Sequence, residues 1–144
     1  MTVAEQELHQ VIISVGSNID PQINIPASRE ILAADTQLLD CADTIETRPV
    51  GYENQPNFLN TAYLVATPFE FDEFNAFLKS VEDRMGRERG PIKSGPRTID
   101  LDIIIWDGDI LNTDYYHYDY VSIPVDQIIS TNQIILCSKA KTSG

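Results

Sequence analysis

The sequence predicts an α+β fold in which two helices cover one face of a four-stranded antiparallel sheet. The order of the predicted elements, β α β β α β, is that of the split βαβ arrangement. An amphipathic helix pattern between residues 68 and 86, and an alternating strand pattern between residues 98 and 106, mark its second half. We expect one domain over residues 1–144 with a small C-terminal extension, and a second sheet face that is free to hold a ligand.

The first half of the chain predicts three strands and one helix. The apolar run "HQVIISVGSN" (9–18) is typical of a strand that breaks at a Gly-Ser-Asn turn. A helix follows from about Pro21 to Ala34, with Pro26 in its first turn or at a kink. The remaining predictions are a second strand over 38–47, a long loop over 47–57 and a third strand over 58–67.

The second helix has the clearest local signals. Thr67 is the predicted N-cap, Pro68 is the first helical residue, and Gly86 is the predicted terminator. Apolar residues recur at three- and four-residue spacing and predict a buried stripe: Phe71, Phe74, Leu78, Val81 and Met85.

Residues 95–106, "GPRTIDLDIIIW", place two aspartates in a strand that otherwise looks buried. Alternation predicts one face with Thr98, Asp100, Asp102, Ile104 and Trp106, and another with Ile99, Leu101, Ile103 and Ile105. The Cα atoms of Asp100 and Asp102 should then lie roughly 6 to 7 Å apart. Like charges held so close favour a bound cation. The sequence "DGD" (107–109) predicts a hairpin turn, and "PVDQII" (124–129) a short helix.

The charge is acidic overall but unevenly placed. The formal net charge is −12, which argues against nucleic-acid binding, yet five of the ten Lys and Arg residues lie between positions 84 and 97. Such a basic cluster suits a small anion that arrives with a metal, and the alternative is a solvated basic loop. No apolar run approaches the roughly 18 residues of a membrane span, and the N-terminus lacks a signal-peptide pattern, so we expect a cytoplasmic protein. Cys41 and Cys137 are expected to be buried or half-buried thiols.

The paired aspartates and the basic cluster suit phosphoryl transfer. Mg²⁺ takes one or two carboxylates and otherwise binds substrate phosphates. Arg87, Arg89 and Arg97 carry planar donors for phosphate oxygens, and Lys93 adds a more flexible charge. The alternative is that the aspartates only pair with Arg97 or point at water.

Four ordered segments carry a resemblance to a known family. They are "SVGSN" (14–18), "TRPVGYENQPNFLN" (47–60), "VEDRMGRERG" (81–90) and "GPRTIDLDI" (95–103). The chain resembles 6-hydroxymethyl-7,8-dihydropterin pyrophosphokinase (HPPK), a folate-pathway enzyme family. The resemblance implies a ferredoxin-like fold, a monomer, and transfer of pyrophosphate from ATP to the hydroxymethyl group of a reduced pterin, with release of AMP.

The resemblance also implies roles for individual residues. Two Mg²⁺ ions that bridge the ATP phosphates would be held by Asp100 and Asp102, which form the catalytic set together with Arg87 and Arg97. The implied ATP contacts are Arg87, Arg89, Lys93, Arg97, Ile103, His117 and Tyr118. The implied pterin contacts are Thr47, Arg48, Val50, Phe58 and Asn60. Alternatives stay open: Asn60 can pair a strand end, Phe58 can belong to the core, Arg89 can be solvated and His117 can be a surface histidine. Glu82 is expected to lie on the helix surface or to orient an arginine.

The chain departs from the family pattern in two loops. Lys93 and Ser94 stand where the family usually has arginine and tryptophan, and "HYDYVSIPV" (117–125) has no basic residue where the family supplies one, although Tyr120 can replace its aromatic. We expect a working pyrophosphokinase that these loops slow. The alternatives are a weak or inactive pterin- or nucleotide-binding module, or another metal-dependent phosphotransferase or hydrolase. Another folate-pathway enzyme stays open as a partner.

Overall fold

The computed structural model describes residues 7–87 and 95–137, and its architecture is α+β as predicted. Within these residues the sheet has six strands, rather than the predicted four, and there are four helices. In chain order the elements are β1 (His9–Ser17), α1 (Pro21–Asp35), β2 (Gln37–Cys41), β3 (Ile45–Thr47), β4 (Phe58–Thr67), α2 (Phe71–Arg84), β5 (Asp100–Trp106), β6 (Asp109–Ile110), α3 (Asp114–His117) and α4 (Asp119–Thr131). The predicted second strand is therefore two strands, β2 and β3, while the predicted bounds of β4 are confirmed.

The sheet is antiparallel and places β1 at its centre. Its strand order is β2-β4-β1-β5-β6, and β3 also pairs with β4. In this register Gly16 of β1 lies opposite Asn60 of β4 on one side and opposite Asp100 of β5 on the other. Gly16, Asn60 and Asp100 therefore lie side by side in one row across three neighbouring strands.

Each face of the sheet has its own hydrophobic core. On one face α1 and α2 pack over the sheet, with Leu32 and Phe74 fully buried. On the other face α4 packs with Val121, Val125 and Ile128 against the sheet. The prediction that this second face is free is therefore wrong for the part that α4 covers. The short helix predicted over 124–129 is in fact longer, and Pro124 lies inside it.

A β-bulge changes which face the end of β5 presents. The pairing of β1 with β5 shifts between Ile12 and Ile13, which face Ile105 and Ile103 and leave Ile104 as the extra residue. Ile104 and Ile105 both belong to the α4 side, while Trp106 packs on the α1–α2 side. The predicted face assignments of Ile105 and Trp106 are therefore wrong, because alternation restarts after the bulge.

The start of α2 also differs from the prediction. The N-cap is Glu70 rather than Thr67, because Glu70 and Glu73 form a reciprocal capping box. Phe71 is consequently partly exposed at the helix start, whereas Phe74 and Leu78 are buried as predicted.

Two further features bear on predictions from composition. Cys41 and Cys137 are free thiols and both are half-buried, as expected. Within the described ranges, no helix combines the length and the apolar character needed to cross a membrane.

Candidate active site

An inner pocket lies at the sheet edge where β1, β4 and β5 meet. It encloses about 110 Å³. Its lining residues are Ser14, Gly16, Thr47, Arg48, Val50, Phe58, Asn60, Arg97, Asp100, Asp102, Ile104, Asp114, Tyr120 and Val121. The mixture of apolar walls with one amide and several charged groups is typical of a small-molecule site.

Asn60 is the most buried amide of the inner pocket. Its Nδ2 donates to Thr47 Oγ1 at 2.6 Å, which ties β4 to the end of β3. A Cβ atom on Gly16 would lie 3.0 Å from Asn60 Oδ1, so a larger residue at this position would press against the amide. The pocket floor therefore presents a fixed polar edge that a planar heterocycle could match.

A charged pocket adjoins the inner pocket. Its lining residues are Lys79, Glu82, Arg87, Arg97, Asp100, Asp102, Asp114, Tyr118 and Tyr120. Asp100 lies between two arginines: Arg87 Nη1 is 3.0 Å from its Oδ1, and Arg97 Nη1 is 3.0 Å from its Oδ2. These guanidinium groups are the donors that suit a polyphosphate.

Glu82 connects the charged pocket to the helix behind it. It is fully buried, accepts the Leu101 N–H at 2.7 Å and pairs with Arg87 Nη1 at 2.7 Å. The predicted surface position of Glu82 is therefore wrong, whereas the alternative of an arginine-orienting residue agrees with these contacts.

Asp102 is held by a lysine. Lys79 Nζ lies 3.3 Å from Asp102 Oδ1. Burial and the neighbouring Asp100 charge raise the pKa of Asp102 to about 6, and Lys79 partly offsets this shift. A second cation near Asp102 would favour its charged form further.

The two pockets share a wall. Five residues line both of them: Arg97, Asp100, Asp102, Asp114 and Tyr120. Asp102 also lines a third, rim pocket together with Phe71, Asn75, Ile103, Leu111, Asn112 and Thr113. Ligands in the inner and charged pockets would therefore meet at the two aspartates.

The donor set fits a metal that arrives with its substrate. Within residues 7–87 and 95–137 no group of three or more His, Cys, Asp or Glu side chains could hold a metal ion. Mg²⁺ does not need such a cage, because it binds one or two carboxylates and completes its shell with phosphates and water. Asp100 and Asp102 on one strand face meet that requirement.

Comparison with known proteins identifies the family. The profile of the 7,8-dihydro-6-hydroxymethylpterin-pyrophosphokinase (HPPK) family matches residues 12–134. The chain belongs to the HPPK family. Its relatives include the 2-amino-4-hydroxy-6-hydroxymethyldihydropteridine pyrophosphokinases of Bacillus subtilis (33% identical over 71% of this chain and 62% of the relative) and Aquifex aeolicus (32% over 72% and 64%). A mitochondrial folate synthesis bifunctional protein of Arabidopsis thaliana is 38% identical over 68% of this chain and 18% of its own length. The matched segments thus span less than two thirds of each of these relatives.

In this HPPK chain most of the predicted site residues come together. The predicted pterin contacts Thr47, Arg48, Val50, Phe58 and Asn60 all line the inner pocket. The charged pocket brings together Arg87, Arg97, Asp100, Asp102 and Tyr118, and Ile103 lines the rim pocket. These positions agree with the predicted roles, which stay predictions.

One predicted ATP contact among the described residues, His117, is not brought to the HPPK site. His117 is exposed and lines none of the three pockets. Arg89 and Lys93 lie outside the described residues, as does Ser94.

Asn18, a motif residue without a predicted role, connects two loops of the HPPK site. Asn18 donates through Nδ2 to Gln55 Oε1 at 2.8 Å and to Pro56 O at 3.0 Å. Its Oδ1 accepts the Arg97 N–H at 2.8 Å. The motif segments "SVGSN" and "TRPVGYENQPNFLN" contain Asn18, Gln55 and Pro56. The fold shows that Asn18 connects Gln55 and Pro56 to the loop that carries Arg97.

Proposed function

We propose that the chain is a pyrophosphokinase that transfers pyrophosphate from ATP to the hydroxymethyl group of 6-hydroxymethyl-7,8-dihydropterin, giving AMP and the pterin diphosphate. The observation that carries the proposal is the meeting of the inner and charged pockets at Asp100 and Asp102. Family membership and the names of the Bacillus subtilis and Aquifex aeolicus relatives support the same reaction.

The pterin is assigned to the inner pocket. Asn60 and Thr47 offer amide and hydroxyl groups to the polar edge of the heterocycle, and Phe58 offers an aromatic surface to its ring. Val50 is half exposed at the pocket mouth, where it would cover the bound ring. The hydroxymethyl group would then point toward the shared aspartates.

The triphosphate of ATP is assigned to the charged pocket. Arg87 and Arg97 are positioned by Asp100 and would neutralise charge on the phosphate oxygens, which is the main requirement of phosphoryl transfer. The rim pocket, which Ile103 lines, is assigned to the rest of the nucleotide. Arg89, Lys93, His117 and Tyr118 stay predicted nucleotide contacts.

Asp100 and Asp102 are the proposed Mg²⁺ ligands, for two ions in all. When bound, Mg²⁺ supplies positive charge to the β- and γ-phosphates and brings them within reach of the pterin hydroxyl. The residues of the chain do the remaining work: the arginines hold the phosphates, and the inner pocket fixes the acceptor.

We further propose that turnover is slow. Residues after His117 form α4, which packs on the sheet, and no Lys or Arg occurs between residues 118 and 137. No cation from this segment can therefore close over the phosphates. The same observation favours the second candidate, a binding module that holds pterin and nucleotide without transferring pyrophosphate.

The four longest strands support a ferredoxin-like core. They follow the order β2-β4-β1-β5, with α1 and α2 on the same face, so that β3, β6 and α4 are additions. The bifunctional relative suggests other folate-pathway enzymes as partners. A monomeric, cytoplasmic protein stays a prediction.

The test is AMP formation from Mg-ATP with and without the pterin, measured by chromatography. We expect pterin-dependent AMP, and a loss of about 100-fold or more in Asp100→Asn and Asp102→Asn. Asp72→Asn, an exposed aspartate in the first turn of α2, is the matched control and should keep full activity. Binding of pterin and an unreactive ATP analogue without AMP would favour the binding module, and pterin-independent ATP hydrolysis would favour a hydrolase.

A further inference from the structure

The ammonium group of Lys79 lies beside Asp102, which is one of the two proposed metal ligands. Its Nζ lies 3.1 Å from Leu101 O, 3.3 Å from Asp102 Oδ1 and 3.4 Å from Glu82 Oε2. The side chain is 37% exposed and lines the charged pocket.

The two aspartates of the charged pocket pair with different cations. Asp100 is paired with Arg87 and Arg97, whereas Asp102 is paired with Lys79. Three cations, Lys79 and the two arginines, thus face four carboxylates, which are the two aspartates, Glu82 and Asp114. Lys79 already supplies a counter-charge to Asp102.

We propose that Lys79 is a resident counter-cation that a divalent metal must displace from Asp102, so that Lys79 sets the metal concentration at which the site fills. This rests on the proposed function, since it takes Asp102 as a metal ligand. A lysine suits this role better than an arginine, because its ammonium is a point charge on a flexible four-carbon stem. Once displaced, the ammonium stays in the same pocket as Arg87 and Arg97, where it can donate to a phosphate oxygen.

Neutral variants at position 79 should bind metal more tightly. We expect Lys79→Met and Lys79→Gln to bind Mn²⁺ about 3- to 10-fold more tightly than the wild type, because a repelling unit charge close to the ion is removed. Lys79→Arg keeps the charge and should stay within about twofold of the wild type. The measurement is electron paramagnetic resonance of free Mn²⁺, with a saturating unreactive ATP analogue.

Arg84→Gln is the matched control. Arg84 lies on the same helix but pairs with Asp35 at 3.3 Å, away from the pocket. Its loss changes the net charge by the same amount and should leave Mn²⁺ affinity within about twofold, since exposed charges at a distance are screened. Thermal melting of each variant checks that it is folded. If Lys79→Met is not folded, Lys79→Gln is used as the neutral variant instead.

The outcomes distinguish a failure of the Lys79 proposal from a failure of the proposed metal site. Unchanged or weaker Mn²⁺ affinity in the folded neutral variants, while the wild type binds Mn²⁺, would overturn the role of Lys79 and leave the proposed function standing. Absence of Mn²⁺ binding by the wild type with the analogue would overturn the metal site itself and Lys79 with it.

Discussion

Asp102 shows how one residue can link the three pockets of the site. It lines all of them, and it faces Lys79 rather than an arginine. Its burial and the adjacent Asp100 charge favour the protonated form, which raises its pKa to about 6. Since this pKa lies above that of an unfolded aspartate, the folded state binds the proton more tightly. The contribution of this group to stability therefore falls as the pH rises through about 4 to 6.

Metal affinity should show the opposite pH dependence. A carboxylate must lose its proton to bind a metal, so Mn²⁺ affinity should fall by up to about tenfold per pH unit below pH 6. The measurement is a Mn²⁺ titration with the ATP analogue between pH 5 and pH 8, corrected for Mn²⁺ binding to the free analogue. Asp102→Asn should flatten the corrected profile, and an equally flat profile in the wild type would contradict this prediction.

Gly16 contributes to the inner pocket through its lack of a side chain. In Gly16→Ala the new Cβ would crowd the Asn60 amide, which its hydrogen bond to Thr47 prevents from moving away easily. We expect pterin affinity to fall about tenfold, measured by calorimetry, with ATP-analogue affinity unchanged. Unchanged pterin affinity in a folded variant would show that the pterin does not bind beside Asn60.

At the scale of elements, α2 and β5 are joined by one buried side chain. Glu82 of α2 holds the Leu101 N–H and the Arg87 guanidinium, so the helix fixes both the strand and the arginine of the charged pocket. Arg87 lies just after the helix, and without this anchor its guanidinium would not be held beside Asp100.

Removing the charge of Glu82 should destabilise the fold. Glu82→Gln keeps the shape but removes the fully buried carboxylate charge that pairs with Arg87 and Lys79, and we expect a loss of about 3 kcal/mol in the free energy of unfolding. Glu30→Gln, at an exposed position of α1, is the matched control and should stay within about 0.5 kcal/mol. Urea denaturation measures both, and a loss below about 1 kcal/mol in Glu82→Gln would contradict a central role for this contact.

The elements also show which signals the sequence carries. Local patterns predicted β4, the buried stripe of α2 and the common face of Asp100 and Asp102, because each depends on neighbours within a few residues. The bulge at Ile104 depends on pairing with β1, which is distant in sequence. The hydrogen bond from the Arg97 N–H to Asn18 likewise joins residues that are 79 positions apart. Neither contact has a signal in the local sequence. The prediction began the C-terminal helix at Pro124, because proline is unfavourable in helix interiors, whereas α4 begins at Asp119.

At the scale of the whole molecule, the two faces of the sheet have different tasks. One face carries α1 and α2 over the larger core, and the other is divided between α4 and the inner pocket. The chain carries a formal net charge of −12, while Lys79, Arg87 and Arg97 line the charged pocket. The fold thus joins the inner pocket and the charged pocket at Asp100 and Asp102, which line both.

The most direct test of this account is ³¹P nuclear magnetic resonance of a reaction of the full chain with Mg-ATP and 6-hydroxymethyl-7,8-dihydropterin. The account predicts AMP and a pterin diphosphate in equal amounts, because the β- and γ-phosphates move together as one group. Formation of ADP with a pterin monophosphate, or release of orthophosphate without any pterin product, would contradict it.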